Sequence, residues 1–423
     1  MNAPELLLPA GSLEKMRTAF AYGADAVYAG QPRYSLRARN NEFGLPELET
    51  GIAEAHGLGG KFYVTSNLIP HNAKVKTYLA DIEPVIAMRP DALIMADPGL
   101  IGLVRGKWPD IPIHLSVQAN TVNWAAVDFW GRQGVSRVIL SRELSLDEIA
   151  EIRLRCPDTE LEVFVHGALC IAYSGRCLLS GYFNHRDANQ GTCTNACRWD
   201  YKVLEDHEKN YVIEESQRPG EMMPIEEDEH GTYILNSKDL RAVEHVGQLA
   251  RIGIDSLKIE GRTKSVYYVA RTAQVYRRAI DDACAGKPFD PTNLNALEHL
   301  ANRGYTDGFY QRHAHAGYQN YASGLSESEV SQYVGDVSAY DADNGMAEIV
   351  VKNRFCVGDR LELISPAVNR TLTLERMETV EGEPIAQAPG NGWIVRISLP
   401  PGMNLKRAML VRLTGGRQRQ KLP

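Results

Sequence analysis

The sequence predicts an α/β protein: a (β/α)8 barrel-like N-terminal domain followed by a small C-terminal all-β domain. Eight short apolar segments rich in β-branched residues recur over roughly 260 residues, which is the strand count and span of such a barrel. Helical spacers separate most of these segments, whereas the last part of the 423-residue chain contains strand patterns alone. An open doubly wound sheet is the competing architecture. No GxGxxG or Walker motif follows any of the segments, so nothing favours a dinucleotide or P-loop site.

The eight predicted strands are short and apolar enough to be buried on both faces, as parallel strands are. They are LLLPA, AVYAG, FYVTS, LIMAD, IHLSV, VILSR, VFVHG and LKIEG.

Capping residues mark several of the helices between these strands. Ser12 precedes a segment with helical periodicity, and Pro46 stands in the first turn of the next predicted helix. Ser145 and Glu148 form the pattern of a capping box. The longest helical pattern is SVYYVARTAQVYRRAIDDACAG, which has a 3.6-residue apolar period.

The pattern of predicted secondary structure changes after about Pro288. A helical pattern, LNALEHLANRGYTDGFYQ, is followed by a glycine-rich polar stretch, and from Tyr333 onward only strand patterns and turns remain. We therefore predict a barrel domain at 1–287, a helical or irregular connector at 288–332, and a small β-barrel or sandwich at 333–423 that contacts RNA.

Composition indicates a soluble globular protein, with 44% hydrophobic residues, 23% charged residues and a net charge of −7. The N-terminal residues contain neither a basic region nor a long apolar stretch, so we expect no signal peptide, no membrane segment and a cytoplasmic location. Seven cysteines without an export signal favour metal or redox chemistry over a disulfide framework.

Four of the seven cysteines are clustered in one segment. Cys170, Cys177, Cys193 and Cys197 have the spacing C-x6-C-x15-C-x3-C. This spacing lacks the C-x2-C pairs of most structural zinc sites, so it favours an iron-sulfur cluster, with zinc as the alternative. Cys170 comes just after the seventh predicted strand, which places the metal centre at the mouth of the barrel.

Polar residues follow the predicted strands, where barrel enzymes carry their working groups. His166 and Glu260 are candidate catalytic residues, although a lone histidine at a strand end is more often a hydrogen-bonded packing residue than a catalyst. The other polar residues at these positions are Asn67, Asp97, Gln118, Asn120, Ser141, Arg142, Glu143, Lys258 and Arg262.

Arginines are concentrated after the second predicted strand, at Arg33, Arg37 and Arg39. Together with Arg262 they could hold a carboxylate or phosphate through paired hydrogen bonds. The alternatives are surface ion pairs and, for Arg262, an ion pair with Glu260.

A second basic region lies at the end of the sequence. The 31 residues from Trp393 to Pro423 contain seven arginines and lysines and no acidic residue. They would attract a polyanion, or they form a solvated tail.

The segment EVFVHGALCIAYSGRCLLS, residues 162–180, resembles the full signature of the collagenase-like peptidase family, whose peptidase label is historical. The blocks LLLPAGS, SLRARN, SVQANTVN, SREL, NQGTC and KIEGR are also similar to family blocks, so the resemblance extends from residue 4 to about 285. Within the family, the resemblance implies iron-sulfur proteins that take part in oxygen-independent hydroxylation of ubiquinone precursors, ribosomal RNA or tRNA.

The branch of the family with a single appended β-domain implies a specific activity. It is the prephenate-dependent hydroxylation of the tRNA wobble uridine to 5-hydroxyuridine, with a 4Fe-4S cluster. The resemblance implies Cys170, Cys177 and Cys193 as cluster ligands, and Cys197 as the candidate for the fourth.

Prephenate carries two carboxylates, so Arg37, Arg39, Arg262 and Lys258 are the candidates for binding it. The alternatives are a peptidase, a hydroxylase of another RNA or of a quinone precursor, and a non-catalytic zinc-stabilised adaptor.

Overall fold

The structure is a computed structural model of the chain. It describes residues 2–36, 42–168, 238–302, 304–311, 331–341, 343–400 and 403–414, together with the backbone of three strands between residues 211 and 233.

Eight parallel strands form a closed barrel. The barrel strands are β1 (Glu5–Pro9), β2 (Ala26–Gly30), β3 (Lys61–Ser66), β4 (Ala92–Met95), β5 (Ile113–Leu115), β6 (Arg137–Ile139), β7 (Glu160–Ala168) and β12 (Ser256–Ile259). The strands described between β7 and β12 are β8 (Tyr211–Glu214), β9 (Met222–Asp228), β10 (Gly231–Tyr233) and β11 (Asp239–Arg241). Strands β1 to β7 pair in sequence order, and β12 pairs with both β7 and β1 to close the ring. All eight strands expected from the sequence are present, which confirms the predicted fold class.

Helices surround the barrel: α1 (Leu13–Ala21), α2 (Leu45–Gly57), α3 (Asn72–Ala87), α4 (Pro98–Lys107), α5 (Trp124–Arg132), α6 (Leu146–Arg155), α7 (Val246–Ile252), α8 (Val266–Cys284) and α9 (Thr292–Glu298). The predicted caps are confirmed. The Ser12 side chain accepts from the Lys15 amide, and Ser145 forms a reciprocal capping box with Glu148.

The helix predicted over residues 294–311 is shorter than the sequence pattern indicates. Helix α9 ends at Glu298, and β13 (Tyr305–Thr306) then adds to β11, which itself pairs antiparallel with β7. The Asn302 side chain accepts from the Gly304 amide at 2.8 Å, and Gly304 has a φ of 82°. A helix cannot continue through this turn to residue 311, because a left-handed residue does not fit a right-handed helix. The domain limits drawn from the sequence remain predictions.

The C-terminal part is antiparallel. Its strands are β14 (Ser331–Asp341), β15 (Met346–Val351), β16 (Phe355–Cys356), β17 (Arg360–Ile364), β18 (Arg370–Thr373), β19 (Met377–Thr379), β20 (Gln387–Ala388), β21 (Ile394–Ser398) and β22 (Met409–Leu413). Seven of them form one sheet in the order β18-β17-β22-β14-β15-β21-β19, and β16 pairs with β20. Ile349, Leu363 and Val395 are among the buried residues of a core separate from that of the barrel.

The C-terminal sheet packs against α1 and α8 of the barrel. The Tyr22 hydroxyl donates to the carbonyl oxygen of Arg407 at 2.8 Å. The Arg271 guanidinium, only 2% exposed, donates to both carboxylate oxygens of Glu362 at 3.1 and 2.5 Å. A buried bidentate ion pair therefore joins the two parts of the chain.

Replacing Glu362 with alanine is expected to destabilise the protein strongly. It would leave the Arg271 guanidinium buried without its counter-charge, a change that lowers the free energy of unfolding by about 3–5 kcal/mol. Denaturant unfolding measures this difference.

The matched control is Glu348→Ala. Glu348 also pairs with an arginine, Arg396, but both side chains are about a third exposed (33% and 38%), so the loss should stay below about 1 kcal/mol. Equal effects of the two substitutions would contradict the interpretation.

Candidate active site at the barrel mouth

Arg262 lies at the mouth and is 7% exposed. Its Nη1 donates to the Ser35 hydroxyl at 2.7 Å and to the Thr65 hydroxyl at 3.1 Å, and its Nη2 donates to the Leu36 carbonyl. These bonds tie the loop after β2 to the end of β3. Arg262 therefore positions the segment that continues into Arg37 and Arg39, both of which lie outside the described residues.

Arg33 does not point to a ligand site. Its guanidinium pairs with Asp81 at 2.9 Å, and the Arg33 side chain is 58% exposed. The surface ion pair, which the sequence left as the alternative, describes this arginine.

Lys258 lies deeper than its position in the sequence suggested. It pairs in register with Leu7 and Phe164, and its ammonium donates to Glu162 at 2.7 Å inside the barrel. Burial lowers the pKa of Lys258, an effect that the charge of Glu162 opposes. This lysine already has a carboxylate partner, so its predicted role in binding prephenate gains no support from its contacts.

Glu260, the second candidate catalytic residue, follows β12 at the mouth. Its carboxylate accepts a hydrogen bond from the Tyr28 hydroxyl at 3.3 Å, and the same hydroxyl donates to the Ile259 carbonyl at 3.0 Å.

His166 is 1% exposed and packs against three tyrosine rings, with centroid distances of 5.5–5.7 Å to Tyr268, Tyr276 and Tyr305. Its Nδ1 lies 3.3 Å from the Tyr276 hydroxyl. Burial lowers the pKa of His166 to about 3, so the imidazole is neutral at physiological pH. Its described contacts are those of a packing residue, and its catalytic role remains a prediction.

The described barrel residues on either side of the stretch that contains the cysteines are paired with each other. Strand β7 ends at Ala168, and Asp239 of β11 pairs with Ala168 in antiparallel register. Cys170 stands two residues beyond Ala168 in the sequence. The chain therefore leaves and re-enters the barrel at one point, although Cys170, Cys177, Cys193 and Cys197 themselves lie outside the described residues.

The donor chemistry of this segment fits an iron-sulfur cluster, because four thiolates are its usual ligands. In the described ranges, one group of metal-type ligands comes together: Glu244, His245 and Asp307. These are oxygen and nitrogen donors, which do not suit an iron-sulfur cluster.

Uncharged polar side chains also lie at the mouth, after β3, β5 and β6. The Asn67 amide nitrogen donates to Gln118 Oε1 at 3.1 Å, while Asn67 Oδ1 accepts from the Leu36 amide at 3.2 Å. The Ser141 amide donates to the Thr121 carbonyl at 3.1 Å.

Sequence reasoning identified Asn67, Gln118, Asn120 and Ser141 at this end but missed Thr121, Ser35 and Thr65. Thr65 is the penultimate residue of β3, whereas Ser35 and Thr121 lie in the loops after β2 and β5, and only their place in those segments could have identified them. Asp97, also predicted here, caps α4 by accepting from the Leu100 amide at 2.9 Å. Arg142 stacks over the Phe164 ring at 3.8 Å.

Comparison with known proteins gives a consistent picture. A model described as peptidase family U32 matches residues 11–320, and one described as the peptidase family U32 C-terminal domain matches residues 329–412. The chain is 59% identical to tRNA hydroxylation protein P of Escherichia coli (strain K12), over 98% of each chain. It is 57% identical to tRNA hydroxylation protein P of Haemophilus influenzae, over 97% of this chain and 96% of the relative.

A more distant relative is the 23S rRNA 5-hydroxycytidine C2501 synthase of Escherichia coli, 34% identical over 66% of this chain and 39% of the relative. In the part of the chain that the structure describes, no helix has the length and apolar character needed to cross a membrane.

Proposed function

The chain belongs to peptidase family U32, and from this membership we propose that it hydroxylates uridine in tRNA. In the specific form of the proposal, the wobble uridine becomes 5-hydroxyuridine in an oxygen-independent reaction that uses prephenate and a 4Fe-4S cluster. The observation that carries the proposal is the 59% identity, over 98% of each chain, to a relative named for tRNA hydroxylation. The described residues next to the cysteine segment and next to Arg37, namely Ala168 and Leu36, both lie at the barrel mouth.

The relatives support RNA as the substrate. Two proteins named for tRNA hydroxylation match the chain over nearly its whole length, and a relative named for hydroxylation of a ribosomal cytidine matches two thirds of it. Hydroxylation of RNA is what these names share.

Cys170, Cys177, Cys193 and Cys197 would hold the cluster, which when bound supplies one-electron redox chemistry next to the substrate. Arg37 and Arg39 would bind the carboxylates of prephenate, and Arg262 would hold their loop in place. The guanidinium groups act as fixed donors, which suits the recognition of two carboxylates on one small molecule.

Nucleoside mass spectrometry tests substrate and reaction together. tRNA from cells lacking this gene should lose 5-hydroxyuridine and its derivatives, and a plasmid copy should restore them. Unchanged tRNA nucleosides in the deletion strain would refute the proposal.

Anaerobic purification distinguishes the hydroxylase from a peptidase. A brown protein with iron and acid-labile sulfide supports the hydroxylase. A colourless protein that cleaves gelatin would support the peptidase that the family name describes.

Binding of tRNA is expected to weaken steeply with salt, because phosphate contacts release counterions. Lys406 and Arg407 line a cavity of about 610 Å³ at the junction of the two parts of the chain, together with Arg17. We expect the double variant Lys406→Gln, Arg407→Asn to reduce the slope of log affinity against log salt by roughly two. Asparagine suits position 407 because the residue there has a φ of 59°.

The control for this measurement is Arg396→Gln. Arg396 already pairs with Glu348 at 2.8 Å, so its loss should change the slope little. A flat salt dependence in the parent protein would contradict phosphate binding.

A further inference from the structure

We propose that Asn120, Thr121 and Ser141 form a wall that recognises the uracil edge of the target nucleotide. The inference rests on the proposed function and adds to it the residues that choose the base. We refer to these three residues as the uracil wall.

The position of the wall follows from the alternation of side chains along β6. The Arg137 side chain lies inside the barrel, where its guanidinium forms ion pairs with Glu5 at 2.6 Å and with Glu162 at 3.3 Å. Residues two and four positions further along a strand share that face. Strand β6 ends at Ile139, but the Leu140 amide still donates to the Glu162 carbonyl of β7 at 2.9 Å, so the extended backbone continues and the alternation places Ser141 on the Arg137 side. The hydrogen bond from the Ser141 amide to the Thr121 carbonyl joins the segments that follow β6 and β5.

The wall carries oxygen atoms whose hydrogen-bonding capacity is unused within the described ranges. Thr121 is 1% exposed and Ser141 is 4% exposed, yet neither hydroxyl oxygen has a hydrogen-bond partner there. Such buried groups are normally satisfied in native proteins, so two together at a mouth point to a polar ligand.

Asn120 supplies an acceptor of fixed orientation. Its Nδ2 donates to the Gln118 carbonyl at 3.1 Å, which leaves Oδ1 as the atom directed elsewhere, and Oδ1 is likewise without a partner in the described part of the chain. The backbone of Asn120 is left-handed, with φ 51° and ψ 51°. Asparagine is among the few side chains that adopt this conformation readily.

One carbonyl acceptor with two hydroxyls matches the edge of uracil. Uracil presents an acceptor, a donor and an acceptor (O4, N3–H and O2), and hydroxyls can donate to the two oxygens while Asn120 Oδ1 accepts from N3–H. Cytosine presents an unprotonated N3 at the same place, so its lone pair would face Asn120 Oδ1. The wall thus favours uracil through attraction to one base and repulsion of the other.

The strands that precede the uracil wall lie across the barrel from the strand that precedes Arg33 and Leu36. In the closed ring β5 and β6 stand opposite β1 and β2, and Arg262 bonds the loop that follows β2. An anionic co-substrate on one side and a neutral base on the other would meet in the mouth.

The test uses the full-length, cluster-loaded protein with two tRNA transcripts that differ only in uridine or cytidine at the wobble position. The parent protein should bind and hydroxylate the uridine transcript in preference to the cytidine one. Asn120→Gly, which keeps the left-handed backbone accessible, should lower this preference about ten-fold. Thr121→Val and Ser141→Ala should each lower kcat/KM for the uridine transcript about three- to ten-fold, with the KM for prephenate unchanged.

The control variant is Thr50→Val, whose hydroxyl bonds the Pro46 carbonyl on the exposed face of α2. Thermal melting establishes whether each variant is folded. If Asn120→Gly is unfolded, the kinetics of Thr121→Val and Ser141→Ala test the proposal. An unchanged base preference and unchanged kcat/KM in the folded wall variants would overturn the inference while the hydroxylase stands. No product from either transcript with the parent protein would overturn the hydroxylase and the wall together.

Discussion

Replacing Cys170 with serine is expected to abolish both the iron-sulfur absorbance and all hydroxylation. Cys170 is the proposed ligand nearest in sequence to the described barrel, two residues beyond Ala168, which pairs with Asp239. A serine hydroxyl is a hard, weakly acidic donor that does not replace a thiolate on iron. The measurements are visible absorption, iron content and 5-hydroxyuridine formation.

Cys156→Ser is the matched control. Cys156 is buried at the C-terminal end of α6. Its thiol donates a hydrogen bond to the Trp124 carbonyl at 3.3 Å, and a serine hydroxyl can also make this hydrogen bond. This variant should keep its cluster and its activity. If Cys170→Ser retains the full iron content, Cys170 is not a ligand. The same assay on Cys197→Ser decides whether Cys197 is the fourth ligand.

Replacing Arg262 with glutamine is expected to lower prephenate-dependent hydroxylation by about a hundred-fold or more. The guanidinium holds Ser35, Thr65 and the Leu36 carbonyl together, and small displacements of positioned groups have effects of this size. Arg262→Lys should not rescue the activity, because an ammonium group cannot reproduce the planar arrangement of hydrogen-bond donors on a guanidinium. The KM for prephenate should rise in both variants while the visible absorption stays unchanged.

Arg33→Gln controls for the loss of a positive charge near the same loop. Its ion pair with Asp81 is on the surface, so activity should change by less than about five-fold. Full activity in Arg262→Lys would show that charge alone matters at position 262. Loss of cluster absorbance in Arg262→Gln would show that the residue supports the cysteine segment instead of the loop after β2 that contains Arg37 and Arg39.

The barrel could be predicted because its signals are local. A strand such as Ala26–Gly30 is buried on both faces and is therefore apolar along its whole length, and the Ser12 and Ser145 caps are set by residues within one helical turn. The extent of helix α9 was overestimated because the turn at Gly304 interrupts an otherwise helical pattern.

Sequence alone determined the number of barrel strands, the clustering of four cysteines after the seventh strand, and the concentration of arginines after the second. These are properties of neighbouring residues. Tertiary structure decided what single residues do: Arg262 clamps the loop after β2, Lys258 is paired with Glu162, and His166 is enclosed by tyrosines. Closing a parallel barrel brings together side chains that are far apart in the chain, such as Ser35 and Arg262, and periodicity contains no information about those contacts.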